Sequence, residues 1–159
     1  TGGTIDKDYP RSSKGWAFEI GEAASLRILK KLNPSFDYEL VSLLKKDSLE
    51  ISEADRKMLL EYCQKSPYQY IVITHGTDTL IETALFLKNI SEKTVVLTGA
   101  MRPEQFSNSD APIQLGIAIG GVQSLPPGVY VAMHGRIASP QQMQRDVQSG
   151  KFYPDPKFK

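Results

Sequence analysis

One cysteine, no long apolar run, no imbalance of charge and no internal repeat: each absence removes a class of protein. With Cys63 alone among 159 residues, no internal disulfide can form, so a disulfide-stapled framework is excluded. No stretch approaches the roughly 18 consecutive apolar residues of a membrane-spanning helix, and no membrane partner is expected. Nineteen basic against eighteen acidic residues leave a net charge of +1, without the basic stripe that nucleic-acid binding requires. The pairs Lys30-Lys31 and Lys45-Lys46 read as solvated ends of elements. The phosphate-binding pattern G-x-x-x-x-G-K-[ST], the dinucleotide fingerprint G-x-G-x-x-G and the nucleophile elbow G-x-S-x-G are all missing. The two histidines, His75 and His134, have no spaced cysteine or carboxylate partners. No metal site and no cofactor is therefore expected, and His75 reads as structural or as a support for its neighbours.

What is present is an alternation of strand and helix signals in a chain long enough for one domain. Tyr70-Ile71-Val72-Ile73-Thr74, Thr94-Val95-Val96-Leu97-Thr98 and Val129-Tyr130-Val131-Ala132-Met133 are short, β-branched runs of the kind buried on both faces of a parallel sheet;. Tyr38 to Leu44 is expected to be a fourth strand, and the segment leading into Thr4 the end of a fifth. Thr1-Gly2-Gly3-Thr4-Ile5 reads as a strand end and its turn, so a preceding apolar strand is expected. Helices are expected over Glu22–Leu32, with Ala24, Ile28 and Leu32 in register, and over Glu53–Gln64, with Ile51, Ala54, Met58 and Tyr62 on one face. Ser52 is the N-cap of the second. Cys63, among Met58, Leu59 and Tyr62, reads as core. A helix over Thr79–Asn89 opens with Thr79-x-x-Glu82, the capping-box spacing, and Asp110-Ala111-Pro112 opens another that runs to about Val122. The alternation implies an α/β fold, a doubly wound and mostly parallel sheet with helices on both faces.

Such sheets bind ligands beyond the carboxyl ends of their strands, and here those ends carry chemistry. The loops are Thr1-Gly2-Gly3-Thr4-Ile5-Asp6, Lys46-Asp47-Ser48, His75-Gly76-Thr77-Asp78-Thr79 and Gly99-Ala100-Met101-Arg102-Pro103. Two glycines let the backbone before Thr4 turn sharply and approach a ligand. Thr77-Asp78 lies at a helix start, where N–H groups and the dipole favour an anion. A threonine hydroxyl attacks an acyl carbon only when a base or positive neighbour activates it. Each loop alone is also a plain tight turn with capping threonines. Together they carry more hydroxyls and carboxylates than folding needs.

Thr1-Gly2-Gly3-Thr4-Ile5, Ile73-Thr74-His75-Gly76-Thr77-Asp78-Thr79-Leu80 and Val95-Val96-Leu97-Thr98-Gly99-Ala100-Met101-Arg102-Pro103 resemble the signature segments of bacterial-type L-asparaginases. Ser109-Asp110-Ala111-Pro112-Ile113-Gln114-Leu115 resembles that family's S-x-D-G-P-x-N-L stretch, and Gly128 to Met133 its following strand. The likeness runs in the family's order from Thr1 to about Arg145. It implies a flavodoxin-like α/β domain that hydrolyses a side-chain amide through an acyl-enzyme. By the same resemblance Thr4 is the nucleophile, Thr77 the second essential threonine, and Asp78 the aspartate that binds the substrate amino group within a Thr-Lys-Asp triad. Asp47 and Ser48 match the position that holds the substrate α-carboxylate, Gly76 and Ala100 match backbone contacts, and Gly3 supports the first turn. Tyr9, in Asp8 to Gly15, lies where the family carries a loop tyrosine that supports the nucleophile, at a shorter spacing from Thr4.

Three departures stand out. The family's triad lysine falls on Arg145, with Lys151 as a second candidate. Arginine can polarise Thr77 but stays protonated and cannot act as a base. Leu49 stands where the family often has a polar residue. The family's sites are closed by a C-terminal domain of a neighbouring subunit, whereas residues 1–159 read as a single N-terminal-like domain, with Phe152 to Pro156 as an irregular tail. The expected partners are a small amino-acid amide and a second copy in a homodimer or higher homo-oligomer, in the cytoplasm. The contrasting expectation is a catalytically weak domain that binds an amino acid as a sensor or subunit.

Overall fold

The computed structural model of the chain describes residues 1–9 and 18–158. In chain order its elements are β1 (Lys7–Asp8), β2 (Glu19–Ile20), α1 (Ala24–Leu32), α2 (Glu53–Lys65), β3 (Tyr70–Thr74), α3 (Leu80–Leu87), β4 (Thr94–Thr98), α4 (Ala111–Ser124), β5 (Gly128–Met133), β6 (Arg136–Ala138), β7 (Met143–Arg145) and β8 (Phe152–Pro154). The main sheet has the order β3-β4-β5-β6. Its first three strands are parallel and β6 returns antiparallel against β5. This is the α/β architecture expected, a mixed sheet with helices on both faces.

Alternation along the strands builds two cores. Ile73, Val95, Leu97, Val129, Val131 and Met133 face α2 and α3 through Leu59, Cys63, Leu80, Ala84 and Leu87. Val96 and Ala132 face α4 through Ala118 and Val122, and α1 joins that side through Ala24 and Ile28. The strand order steps in one direction while α3 and α4 cover opposite faces. The two crossovers β3–α3–β4 and β4–α4–β5 must therefore have opposite hands, one of them the uncommon left-handed form.

Caps set the helix ends. Ser52 accepts from Asp55 N at 3.2 Å, and the Asp55 carboxylate accepts from Ser52 N at 2.8 Å, a reciprocal capping box on α2. The Lys46 ammonium beside Asp55 pulls that carboxyl down to about 2. Asn33, in the left-handed region at φ 49°, closes α1 with its N–H on Leu29 O.

Several expectations are corrected. Tyr38–Leu44 is not a strand: it is irregular and mostly exposed, because it has no neighbouring strand to pair with. Leu32 is exposed while Ile28 and Leu29 are buried. In α2, Leu59 and Cys63 point inward and Met58 and Tyr62 outward, and Arg56 is buried with its guanidinium bonded to Ile51 O and Thr83 Oγ1. Neither Thr79 nor Asp110 caps its helix through its side chain. Thr79 Oγ1 donates instead to Ser48 O at 2.7 Å, and Glu82 pairs with Arg56. Phe152 to Pro154 is a strand rather than an irregular tail, forming a hairpin with β7.

Candidate active site

Four loops and one hairpin meet beyond the carboxyl ends of β3 and β4. Gly2 and Gly3 have φ of 98° and 87°, in the region glycine tolerates best;. A β-carbon at Gly3 would overlap the Gly76 backbone, and one at Gly76 would lie 2.6 Å from the Ser48 hydroxyl. The first and third loops thus touch backbone to backbone at Gly3 and Gly76, and Gly76 in turn lies against the Ser48 side chain, approaches that a β-carbon at either glycine would block. Gly3 N donates to Lys46 O at 3.1 Å and Lys46 N to Thr1 O, a one-bridge parallel ladder that joins the first loop to the second. The bond from Thr79 to Ser48 O ties the second to the third.

Thr4 begins a short 3-10 turn and is half-buried. Among the described residues its hydroxyl has no hydrogen-bond partner. Ser48 and Thr77 are buried, and Ala100 is fully so. A β-carbon at Gly99 would meet the Thr77 methyl at 3.4 Å, so Thr77 is wedged between the β3 and β4 loops. Asp47 caps the turn Ser48–Glu50 and pairs with Lys7 at 2.7 Å; that bond holds its carboxyl below the usual range. Leu49, beside Ser48, is 75% exposed.

Asp78 is the most informative member. Its Oδ1 lies 3.0 Å from Arg145 Nη1, and the Arg145 guanidinium sits over the Phe152 ring at 5.9 Å. Strand β7 therefore brings Arg145 to the β3 loop, while Lys151 is exposed and makes only backbone bonds among the described residues. Of the two candidates for the lysine position, Arg145 is the one in contact. Arg145 Nε is buried and has no partner among the described residues, so one donor of the fork is left over for a further acceptor.

Tyr9 is 67% exposed and stacks with Phe18 and Phe106, at centroid distances of 5.0 and 6.4 Å. Its backbone N–H donates to Asp8 Oδ1 at 2.8 Å, and among the described residues its hydroxyl makes no hydrogen bond to Thr4. Residues 10–15 of the expected loop lie outside the described residues.

Three supporting residues carried little signal in the sequence. His75 is fully buried; its Nδ1–H donates to Gly76 O at 2.8 Å, and Nε2 has no partner among the described residues. Burial pushes its pKa down to about 4, against a smaller rise from the Gly76 bond, so the ring is neutral at pH 7. Asp6 is buried two residues past Thr4 and accepts from Ala24 N at 2.7 Å, capping α1 from a distance, with its pKa raised by burial. The Asp110 carboxylate accepts from Met101 N, Arg102 N and Gln114 Nε2, which fixes the loop after Ala100. In the sequence His75 and Asp110 lie in segments that resemble the family but pointed only to a supporting role and a helix cap, and Asp6 was no more than a polar residue in the first loop.

The mixed-sheet domain gathers two threonines, a serine and an arginine-paired aspartate in its strand-end loops. The family model described as Asparaginase, N-terminal matches residues 1–151, and the chain belongs to that family. It is 33% identical to L-asparaginase 2-3 of Saccharomyces cerevisiae over 152 residues, covering 87% of this chain and 41% of that protein. The thermostable L-asparaginase of Thermococcus kodakarensis superposes with a TM-score of 0.80 at 30% identity, over 97% of this chain and 49% of that one. A probable cytoplasmic L-asparaginase of Campylobacter jejuni gives 0.76 at 28% identity, over 97% and 51%. The chain thus spans about half the length, or less, of these relatives.

Proposed function

We propose that this chain is an amidohydrolase domain that converts the side-chain amide of L-asparagine, or of a related small amide, to a carboxylate and ammonia. The Thr4 hydroxyl attacks the amide carbon, the amide oxygen takes up negative charge, and the C–N bond then breaks as the proton lost by Thr4 ends on the leaving nitrogen and ammonia departs. Water then attacks the Thr4 ester, releases the acid and restores the hydroxyl. Thr77 and the N–H groups of its loop serve the developing oxyanion. Asp78 receives the substrate ammonium, Ser48 and Asp47 orient the α-carboxylate, and the Gly3, Gly76 and Ala100 backbones line the floor. The observation that carries this reading is the Arg145–Asp78 ion pair beside buried Thr77, which brings a positive group from a distant strand to the threonine loop.

Arg145 supplies charge and not basicity, so the proton from Thr4 passes to another acceptor and turnover is slow. The Asp78 side chain is 42% exposed, and water on the site weakens each electrostatic interaction. The same exposure supports a second copy of the chain covering the site, and the likeness to a probable cytoplasmic L-asparaginase supports the cytoplasm. Tyr9 stays a rim aromatic in this reading.

Ammonia release from asparagine and from glutamine tests the proposal. Thr4→Ala and Thr77→Ala are each expected to lower it by about 100-fold or more. A well-folded chain that binds aspartate yet releases no ammonia overturns hydrolysis in favour of amino-acid binding.

A further inference from the structure

Lys7 leaves the same turn that carries Thr4: the turn spans Thr4–Asp6 and Lys7 opens β1. Pairing of Lys7 with Ile20 in the β1–β2 ladder fixes its backbone. Its ammonium lies 2.7 Å from Asp47 Oδ2, with the two side chains 27% and 29% exposed. The pair therefore bridges the first loop to the second at a place that solvent still reaches. An ammonium has three donors. Asp47 takes one, and among the described residues no other acceptor meets Lys7.

The chemistry of the second loop makes a cation there significant. A substrate with its amide carbon at Thr4 and its α-carboxylate at Ser48 would span the two loops that Lys7 joins. That span is short, because Gly3 touches Gly76 and Gly76 touches Ser48. Ser48 is buried, and among the described residues its hydroxyl has no hydrogen-bond partner. Its neighbours offer an anion little. The Leu49 N–H is already taken by Asp47 Oδ1 at 3.3 Å, and the Leu49 side chain is apolar. The bond from Lys7 keeps the Asp47 carboxyl ionised, and a lone carboxylate beside Ser48 would repel a second one. Lys7 cancels that repulsion and has donors left over. The same device stands at the other end of the site, where Arg145 offsets Asp78 at 3.0 Å.

We propose that Lys7 is a specificity-determining residue that donates to the α-carboxylate of the substrate, making the polar contact that Leu49 lacks. This rests on reading the loops as an amino-acid amide site. A strut between two loops would serve every ligand alike. A bond to the α-carboxylate serves only ligands that carry one.

That difference is the test. L-aspartate and 3-aminopropanoate, the same molecule without its α-carboxylate, are titrated by NMR into the 159-residue chain and its Lys7→Met and Lys7→Arg variants. Lys7→Met is expected to raise the Kd for aspartate about tenfold, the loss of one charge-assisted hydrogen bond, and to leave that for 3-aminopropanoate unchanged. Lys7→Arg, which keeps the charge and the donors, should retain most of the aspartate affinity. An equal loss for both ligands would make Lys7 a strut and overturn the proposal. Unchanged aspartate binding in Lys7→Met would overturn it as well. Binding is read without turnover, so the two readings fail separately. The expected discrimination in a chain that releases no ammonia would remove hydrolysis and keep the role of Lys7, whereas a parent chain that binds no aspartate would overturn both.

Discussion

His75 couples the site to pH through a bond it makes as a neutral ring. Its folded pKa of about 4 lies below the ordinary histidine value. Between those two values the unfolded chain takes up a proton that the folded chain refuses. This contribution to stability is therefore complete above about pH 6.5 and falls as pH drops toward 4, by up to about 3 kcal/mol. Urea unfolding at pH 7, 5.5 and 4 should show this slope in the parent and its loss in His75→Gln. Asp6 runs the other way: burial raises its carboxyl pKa and so favours the folded chain at low pH. The difference between parent and variant isolates the histidine. Arg145 gives the second test at this scale. Arg145→Lys keeps a cation beside Asp78 but permits its deprotonation. Under the proposed mechanism kcat rises by about 100-fold or more and gains a dependence that climbs with pH as the lysine loses its proton; an unchanged profile would remove proton transfer from this position.

At the scale of elements, the turns between strands and helices do more than connect. Asp110 sits where a helix cap is expected, yet its carboxylate holds the N–H groups of Met101 and Arg102 and the Gln114 amide. Gln114 in turn accepts from His134 N, which joins the β4 and β5 loops. Asp110→Ala leaves these donors without their acceptor and should cost about 1–3 kcal/mol in chemical denaturation. It should also raise KM more than an exposed substitution such as Gln123→Ala, because Ala100 belongs to the same loop. In α2 the apolar periodicity fits two stripes equally well. Met58 with Tyr62 and Leu59 with Cys63 are each one turn apart, and the charged Arg56 lies on the side of the second stripe. Arg56 is inside because Ile51 O, Thr83 and Glu82 satisfy its donors, and none of these partners can be read from the helix itself.

For the molecule as a whole, local chemistry determined the strands β3, β4 and β5, the start of α2 at Ser52, and the gathering of polar loops at one end of the sheet. β-branched runs, caps and turn glycines act over a few residues and need no partner to be legible. The glycines before Thr4 and at Gly76 also announced a close approach of backbones, since a side chain there would collide. The remainder was decided by contacts between segments far apart in the chain. Whether Arg145 or Lys151 meets Asp78 depends on the β7–β8 hairpin that positions them. Tyr9 lies against Phe18 and Phe106, and the contact with Phe106 joins segments far apart in the chain that the loop's own sequence does not reveal. Opposite-handed crossovers follow from the faces that α3 and α4 cover, which periodicity leaves open. Tyr38–Leu44 has the composition of a strand, but a parallel strand exists only through hydrogen bonds to its neighbours. Composition is written residue by residue, whereas pairing is a property of two segments at once.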